Sequence, residues 1–321
     1  MNQPDNIRQA VSASYARAVA QNPKTGSSCC SDTATPGVLP ILAGYSREAL
    51  AALPADAVQS SFGCGNPVAL AEIREGDTVL DLGSGAGIDL LLAAKLTGPK
   101  GKVIGVDMTH AMIERARANA IAAGLTNVEV LEGIIEDLPV PSNSVDLVLS
   151  NCVINLSPEK TRVFAELHRV LKVDGRISIS DIVAEPMPEW IKAEGLLYSA
   201  CIAGAISEAE YLEGLSKAGL VEVAVQDRLT YDASQLAALL DTDSAGSCCC
   251  GSVALSKDQL KRITEALDGK VASIRVVGRK SEEVIAGFAD KYLHEPATKA
   301  APCCCCCSDD SEPASGKKSC S

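Results

Sequence analysis

Aromatic residues are scarce in this chain of 321 residues: they make up 3% of the sequence, although 47% of it is hydrophobic. Alanine and leucine dominate the hydrophobic set, whereas strands of β-proteins are rich in aromatic and β-branched residues. The composition therefore favours an α/β protein over a β-sandwich. A chain of this length can hold one large domain or two modest ones, with ample core.

Long apolar runs and positive charge are also lacking. No stretch approaches the roughly 20 residues of a membrane span, and the N-terminus shows no basic-then-apolar signal pattern. We therefore expect a cytoplasmic protein without a membrane partner. The formal net charge is −12, and the only basic run near a terminus is Lys317-Lys318. Because phosphate binding needs clustered Lys and Arg, we also expect no nucleic-acid partner.

The order of short apolar and amphipathic segments from about Gly76 predicts the fold. The predicted strands cover residues 78–82, 102–106, 128–131, 145–149, 176–180, 221–225 and 273–277. The helices between them run through 88–96, from a Thr109 cap to Gly124, from Ser157-Pro158 to Lys172–Gly175, and from the Ser207 capping box to Ala218. This alternation predicts an α/β fold with a mostly parallel seven-stranded sheet, helices on both faces and an antiparallel edge hairpin.

A glycine-rich loop, Asp81-Leu82-Gly83-Ser84-Gly85-Ala86-Gly87, connects the first strand to the first helix of this pattern. Glycine permits the tight turn and a close approach of the backbone to a ligand. In dinucleotide-binding loops the third glycine comes one place later, where this chain has Ile88. Asp81 would repel a pyrophosphate but can accept a hydrogen bond from an ammonium group. The loop, with Asp81, Gly83, Ser84, Gly85 and Gly87, therefore predicts binding of S-adenosylmethionine.

The remaining cofactor residues are predicted at the ends of the next strands. Asp107 ends the second strand and can accept hydrogen bonds from both ribose hydroxyls; Met108 follows it. Ile135 and Glu136 are placed to flank the adenine, and Asn151 follows the fourth strand. A glycine loop alone is often only a tight turn. Its combination with Asp81, Asp107 and the strand order favours a class I (Rossmann-like) methyltransferase fold.

Cysteine is abundant, with 14 residues in the chain. They are Cys29, Cys30, Cys64, Cys152, Cys201, Cys248 to Cys250, Cys303 to Cys307 and Cys320. In a reducing compartment such a set indicates soft-metal or thiol chemistry rather than structural disulfides. The two contiguous runs do not have the spacing of a usual tetrahedral zinc site.

Three cysteine-containing segments carry a family resemblance. They are Ser61-Phe62-Gly63-Cys64-Gly65-Asn66-Pro67, Ser150-Asn151-Cys152-Val153-Ile154-Asn155-Leu156 and Cys201-Ile202-Ala203-Gly204-Ala205. With them the chain from about Ser27 to Leu240 resembles the bacterial arsenite S-adenosylmethionine methyltransferases. General class I methyltransferases share the glycine loop but lack these segments. The resemblance implies stepwise methylation of thiol-bound arsenite to mono- and dimethylated products for detoxification, with trimethylation left open.

The chemistry of arsenic agrees with this resemblance. Trivalent arsenic is soft and prefers sulfur ligands. Bound by three thiolates it stays pyramidal and keeps a lone pair, which can attack a sulfonium methyl group in line. Since arsenic has no proton to remove, no strong general base is needed. The chain has only His110, His168 and His294, and none stands out as a catalytic base.

We assign the arsenic ligands, which would also be the catalytic residues, to Cys152, Cys201 and Cys64. Cys29 or Cys30 would be an accessory thiol that delivers arsenic or forms a disulfide with Cys64 during turnover. The family has one such N-terminal cysteine, so which of the two corresponds to it is open. Taken alone, a cysteine is more often a small buried hydrophobic residue, and this alternative fits Cys201 well. It fits Cys152 much less, because the neighbouring Asn151 and Asn155 are unusual in a purely apolar core.

One position departs from the family pattern. Animal members have a tyrosine pair before the Gly-Cys-Gly element, where this chain has Ser61 and Phe62. Phe62 offers a ring face but no hydroxyl, so any role of that tyrosine does not transfer. The runs Cys248 to Cys250 and Cys303 to Cys307 could scavenge arsenite, but a low-complexity segment with loose metal affinity is favoured.

These observations predict five segments. They are 1–66, a helical N-terminal part with the cysteine pair and the Gly-Cys-Gly loop; 67–181, the S-adenosylmethionine-binding core; 182–240, an arsenic-binding insertion and the end of the core; 241–293, a Cys-containing insertion, edge strand and last helix; and 294–321, a disordered Cys-rich tail. The expected partners are arsenite, methylated arsenicals and a thiol reductant, thioredoxin or glutathione. A monomer is expected.

Two other functions fit parts of the pattern. One is a small-molecule C- or N-methyltransferase with incidental cysteines, for which Cys64→Ser and Cys201→Ser would retain near-full activity on an organic acceptor. The other is a thiol-rich metalloid-binding protein on a methyltransferase scaffold without cofactor. It would fail to bind S-adenosylmethionine, or would bind it equally well after Asp81→Ala and Asp107→Ala.

Overall fold

A computed structural model describes residues 4–20, 40–41, 43–192, 197–198, 201–240 and 255–282. The predictions for Cys29, Cys30, the two cysteine runs and the tail at 294–321 lie outside the described residues. The segment boundaries given above stay predictions. No helix within the described ranges is long and apolar enough to cross a membrane.

A seven-stranded sheet of order β3-β2-β1-β4-β5-β7-β6 forms the centre of the structure. The strands are β1 (Thr78–Leu82), β2 (Lys102–Asp107), β3 (Val128–Glu132), β4 (Val145–Asn151), β5 (Leu171–Ala184), β6 (Leu220–Tyr231) and β7 (Val271–Lys280). The first five are parallel, and β7 runs antiparallel to both β5 and β6. The predicted class I methyltransferase sheet with an antiparallel edge pair is confirmed.

Helices cover the sheet and also pack at one end of it. They are α1 (Pro4–Ala20), α2 (Arg47–Ala51), α3 (Ala55–Gln59), α4 (Ile88–Thr97), α5 (His110–Ala122), α6 (Lys160–Val170), α7 (Glu189–Lys192), α8 (Glu208–Lys217), α9 (Ala233–Leu240) and α10 (Lys257–Leu267). Single 3₁₀ turns lie at Pro67–Leu70 and Ile154–Leu156. The capping box predicted at Ser207 is present and starts α8; a second one, at Ser256, starts α10. In both, a serine hydroxyl and the side chain three residues later satisfy backbone N–H groups that a helix start leaves free.

The last strands are longer than the sequence pattern predicts. Helix α6 ends at Val170, and β5 begins at Leu171 because that residue is fully buried and pairs with Val145. At the other end, β6 and β7 extend until Tyr231 pairs with Val271. Among the added residues, Leu171, Tyr231 and Val271 bury their side chains, although local periodicity alone assigns them to a helix end or an insertion.

Two apolar clusters fill the sheet faces, and a third lies beyond the carboxyl ends of the strands. The third cluster joins α1, α9, α10 and the segment after β5, through Val11, Leu236, Ile263 and Leu197 among others. It also includes Cys152 and Cys201. This packing brings the segment after β5 back over the end of β4. The two cysteines, remote in sequence, become neighbours as a result.

Candidate active site

An open cleft lies at the carboxyl ends of β1, β2 and β4, with about 970 Å³ of empty space that includes volume open to solvent. Strand order reverses between β1 and β4, which is where open α/β sheets bind their ligands. Every residue predicted for the cofactor lines this cleft: Asp81, Gly83, Ser84, Gly85, Gly87, Asp107, Met108, Ile135, Glu136 and Asn151. The candidate site is therefore a single surface assembled from four separate stretches of the chain.

The glycine loop forms the floor of the cleft. Gly83, Gly85 and Gly87 have φ values of 59°, 52° and 99°, in the left-handed region that favours glycine. A Cβ on Gly83 would overlap the side chain of Val153. Helix α4 starts directly after Gly87, so its first N–H groups face the cleft. The loop therefore presents backbone rather than side chains to a ligand.

Two predicted carboxylates lie at this floor, Asp81 buried and Asp107 half-buried, and neither has an ion-pair partner in the described residues. Asp81 is 2% exposed, and its Oδ2 has no hydrogen-bond partner there. Burial raises the pKa of Asp81 well above its usual value, and the charges of Asp89 and Asp107 raise it further. Asp107 accepts hydrogen bonds from Gly85 N at 3.0 Å and Thr109 N at 2.8 Å. An acidic pocket with an unsatisfied carboxylate fits the ammonium and sulfonium groups of S-adenosylmethionine.

Asp89, on the first turn of α4, is a third buried carboxylate that the sequence analysis missed. Tyr45 OH donates to its Oδ1 at 2.6 Å and Asn151 Nδ2 donates to its Oδ2 at 3.0 Å. Burial raises the pKa of Asp89 to about 6, although these two hydrogen bonds lower it. An aspartate directly after the glycine loop, followed by five apolar residues, is the feature that could have revealed it.

Helix α1 lies against the cleft through Arg8, Val11 and Tyr15. The Arg8 guanidinium donates to Glu136 Oε1 from Nε at 3.2 Å and from Nη2 at 3.1 Å, and it also pairs with Glu159. The Glu136 carboxylate, predicted to flank adenine, is therefore also the anchor of α1. The sequence predicts only a helical segment here, because no motif marks the contact of α1 with a site more than a hundred residues away.

Phe62 lies at the mouth of the cleft and is 40% exposed. Its ring packs edge to face on Tyr15 of α1, with ring centroids 5.7 Å apart. Ser61 lines the cleft beside it. The position that departs from the family pattern thus belongs to the cleft and takes part in seating α1.

The three predicted arsenic ligands lie next to one another, and one of them, Cys152, lines the cleft. Cys64 and Cys152 form a disulfide with a Cα–Cα distance of 5.9 Å. Cys201 is a buried free thiol whose Sγ donates to Cys152 O at 2.7 Å. Cys152 itself lines the cofactor cleft. Three separate segments therefore bring their cysteines together beside the cofactor cleft.

The Cys64–Cys152 disulfide was not predicted from the sequence, and the expectation that Cys29 or Cys30 delivers arsenic or pairs with Cys64 during turnover stays a prediction. The disulfide is possible because the Gly-Cys-Gly loop fits tightly against the ends of β4 and β5. A Cβ on Gly63 would overlap the amide of Asn151, and one on Gly65 would lie 2.7 Å from Ser180 Cβ. The flanking glycines thus allow the loop close enough for Cys64 to bond Cys152. Residues 29 and 30 lie outside the described part of the chain.

Backbone conformation also orients the two core cysteines. Cys152 and Cys201 have φ values of 57° and 62°, which are uncommon for residues other than glycine. Gly204 allows the loop of Cys201 to pack on the backbone carbonyl of Asn155, where a Cβ would overlap. Such conformations persist only where surrounding contacts enforce them, and they concentrate at functional sites.

A buried polar group lies under Cys201. Asp181 on β5 is fully buried, with Asn155 Nδ2 donating to Oδ1 at 2.9 Å and Tyr211 OH to Oδ2 at 3.1 Å. Burial raises the pKa of Asp181 to about 6. Burial also raises the pKa of the Cys201 thiol well above its usual value, Asp181 raises it further, and Lys160 lowers it. Cys201 is therefore a protonated thiol at neutral pH.

The raised pKa of Asp181 has a consequence for stability. The pKa of Asp181 is about 6 in the folded state, against an ordinary value of 3.8. The stability that the protonated Asp181 contributes is therefore present at low pH and is lost as the pH rises through that window. The quantity to follow is the difference in free energy of unfolding between wild type and Asp181→Asn. We expect wild type to lose up to about 3 kcal/mol relative to the variant between pH 4 and 7. Urea unfolding of both proteins across this pH range measures the difference. The contributions of all other titrating groups cancel, because both proteins contain them. A pH-independent difference would contradict the assignment.

Comparison with known proteins places the chain among methyltransferases. A family model described as "Methyltransferase domain" matches residues 73–219. The arsenite methyltransferase of Halobacterium salinarum is 45% identical over 205 residues, which are 63% of this chain and 52% of that protein. The human arsenite methyltransferase is 33% identical over 210 residues, 62% of this chain and 54% of the relative. The chain thus spans about half the length of the curated relatives it matches.

A solved structure extends the likeness. The crystal structure of an arsenic(III) S-adenosylmethionine methyltransferase from Chlamydomonas reinhardtii is 34% identical, with a TM-score of 0.60, and the match covers 74% of each chain. With the fit of the acidic glycine-lined cleft, these relatives make S-adenosylmethionine the cofactor. The chain belongs to the family of arsenic(III) S-adenosylmethionine methyltransferases.

Proposed function

We propose that this chain transfers methyl groups from S-adenosylmethionine to trivalent arsenic bound by Cys64, Cys152 and Cys201, giving mono- and dimethylated arsenicals. The observation that carries the proposal is the convergence of these cysteines at the cofactor cleft: Cys152 lines the cleft, is bonded to Cys64 and contacts the Cys201 thiol through its carbonyl. Organic acceptors do not require three sulfur atoms at this place. A soft trivalent metalloid does.

The cofactor would be held by charge and by backbone. The free Oδ2 of Asp81 would accept a hydrogen bond from its ammonium group, and the Asp107 carboxylate, fixed by Gly85 N and Thr109 N, would accept from the ribose. When bound, the cofactor supplies an electrophilic methyl group on a sulfonium, which the arsenic lone pair attacks. Arg8 and Glu136 hold α1 against the cleft.

The cysteines must be reduced before they can bind arsenic. Two electrons from a thiol reductant, thioredoxin or glutathione, open the Cys64–Cys152 disulfide and yield two thiols. Arsenite then exchanges its hydroxyl groups for thiolates, and each thiol proton leaves with one hydroxyl as water. The raised pKa of Cys201 is compatible with this exchange, since the proton it carries is consumed in the water that departs. No basic side chain is needed.

The need for a reductant bears on partners and location. We place the protein in the cytoplasm, as a monomer, where thioredoxin and glutathione keep thiols reduced. The accessory role of Cys29 or Cys30 belongs to the same proposal: either thiol would resolve a disulfide at Cys64 or pass arsenite inward.

The direct test is to incubate the purified chain with arsenite, S-adenosylmethionine and glutathione or thioredoxin. We expect methylated arsenic and S-adenosylhomocysteine in equal molar amounts per methyl group, measured by mass spectrometry. If S-adenosylhomocysteine forms only when an organic acceptor is supplied, that acceptor and not arsenic is the substrate. Arsenite binding without any binding of S-adenosylmethionine would instead indicate a metalloid-binding protein.

A further inference from the structure

A closed ring of three polar side chains, two of them buried and one half-buried, lies between the Gly-Cys-Gly loop and α4. Tyr45 OH donates to Asp89 Oδ1 at 2.6 Å, while Asn151 Nδ2 donates to Asp89 Oδ2 and to Tyr45 OH, both at 3.0 Å. Tyr45 and Asp89 are each 4% exposed. Buried hydrogen-bond networks of this kind hold their members in one arrangement.

Asn151 also holds the loop that carries Cys64. Its Oδ1 accepts from Gly65 N at 3.2 Å, and its Nδ2 lies 2.8 Å from Gly65 O, so the two amide hydrogens are shared among three acceptors. On the other side of Cys64, Gly63 packs so closely on the Asn151 amide that no Cβ fits between them. One side chain therefore contacts the backbone before and after Cys64. The next residue in sequence, Cys152, is bonded to it.

The ring sets which way the Asn151 amide faces. The ionised carboxylate of Asp89 only accepts hydrogen bonds, so it requires the NH₂ group of Asn151 on its side. The amide oxygen is thereby directed to Gly65 N, which needs an acceptor. Asp89 and Tyr45 thus act on the Cys64 loop through Asn151 without touching the loop's sulfur.

We propose that Asn151 is a positioning residue that sets the effective concentration of the Cys64 thiol against Cys152, with Asp89 and Tyr45 fixing its amide. Cys64 comes from a loop, whereas Cys152 and Cys201 sit in a packed core. Assembly of a three-thiol site then depends on how firmly that loop is held. The relevance to arsenic rests on the proposed function; the positioning itself is measurable without arsenic.

The test is equilibration of the full chain with glutathione redox buffers. Forming the Cys64–Cys152 disulfide reduces one oxidised glutathione to two glutathione molecules, so the midpoint buffer composition reports the effective concentration of the two thiols. Alkylation and peptide mass spectrometry measure the Cys64–Cys152 pair separately from other cysteines. We expect Asn151→Ala to lower the equilibrium constant for forming the Cys64–Cys152 disulfide by about ten- to a hundredfold. The midpoint then shifts toward the dithiol, because the hydrogen bonds of Asn151 to the loop are lost.

Asn127→Ala is the matched control. Asn127 Nδ2 also serves three acceptors, Ala94 O at 3.0 Å, Thr97 Oγ1 at 3.3 Å and Gly98 O at 3.0 Å, remote from the cysteines. It should lower the melting temperature comparably and leave the midpoint unchanged. An unchanged midpoint in Asn151→Ala, or an equal shift in Asn127→Ala, would overturn the proposal.

Asn151→Asp separates the two halves of the amide. It keeps an oxygen that can accept from Gly65 N but removes the Nδ2 group that donates to Gly65 O and to Asp89. We expect its midpoint to shift toward the dithiol, as in Asn151→Ala. An unchanged midpoint in Asn151→Asp would contradict the role of the amide NH₂ group. If wild type forms no methylated arsenic but these shifts occur, the proposed function fails and the positioning stands.

Discussion

Replacing Cys152 by serine is expected to lower the rate of arsenite methylation by more than about a hundredfold, because loss of even an outer-shell partner of a metal site costs 10–100-fold and Cys152 would be a direct ligand. Its sulfur is the one at the cofactor cleft, and oxygen is a poor ligand for trivalent arsenic. Affinity for S-adenosylmethionine should stay close to wild type, since the carboxylates and the glycine loop are untouched. Product analysis and equilibrium cofactor binding measure the two effects separately.

The control for this experiment is Val148→Thr, which places a buried hydroxyl on the same strand away from the thiols. It should cost stability without a comparable loss of methylation. Cys201→Ser should behave like Cys152→Ser if both sulfurs bind arsenic. Near-full methylation by either cysteine variant would remove that residue from the arsenic site.

The second large effect is expected for Asp81→Asn, which should weaken cofactor binding but stabilise the protein without cofactor. Asp81→Asn should weaken S-adenosylmethionine binding by about ten- to a hundredfold, the range for losing a charge-assisted hydrogen bond. The same change should raise the melting temperature of the protein without cofactor. It removes a buried carboxylate whose pKa is raised by burial and by the charges of Asp89 and Asp107. Calorimetric titration and thermal unfolding measure the pair of effects.

Asp146→Asn is the matched control. Asp146 lies near the opposite end of the sheet, where it accepts from Thr78 N at 2.9 Å and pairs with Lys172 at 2.7 Å. We expect it to leave cofactor affinity unchanged and to lower the melting temperature slightly. If Asp81→Asn kept full affinity, its free oxygen would not be the ammonium acceptor.

Features written in short stretches of the chain were predictable. The strand and helix order, the loop from Asp81 to Gly87, the acid at Asp107 and the capping box at Ser207 each depend on a few consecutive residues. All of them take their predicted places in the structure. The ends of β5 and β6 were less predictable, because pairing across the sheet extends a strand past the point where its own pattern stops.

The partners of the site residues were decided only by tertiary structure. Arg8 meets Glu136 across 128 positions, and Asn151 meets Gly65 across 86. A contact of that kind depends on how whole elements pack, and no local pattern records it. The sequence by itself therefore determined the sheet, the cofactor loop and which cysteines to examine. Only the packing of α1, the Gly-Cys-Gly loop and the segment after β5 against the ends of the strands decided that Cys64, Cys152 and Cys201 meet beside the cofactor cleft.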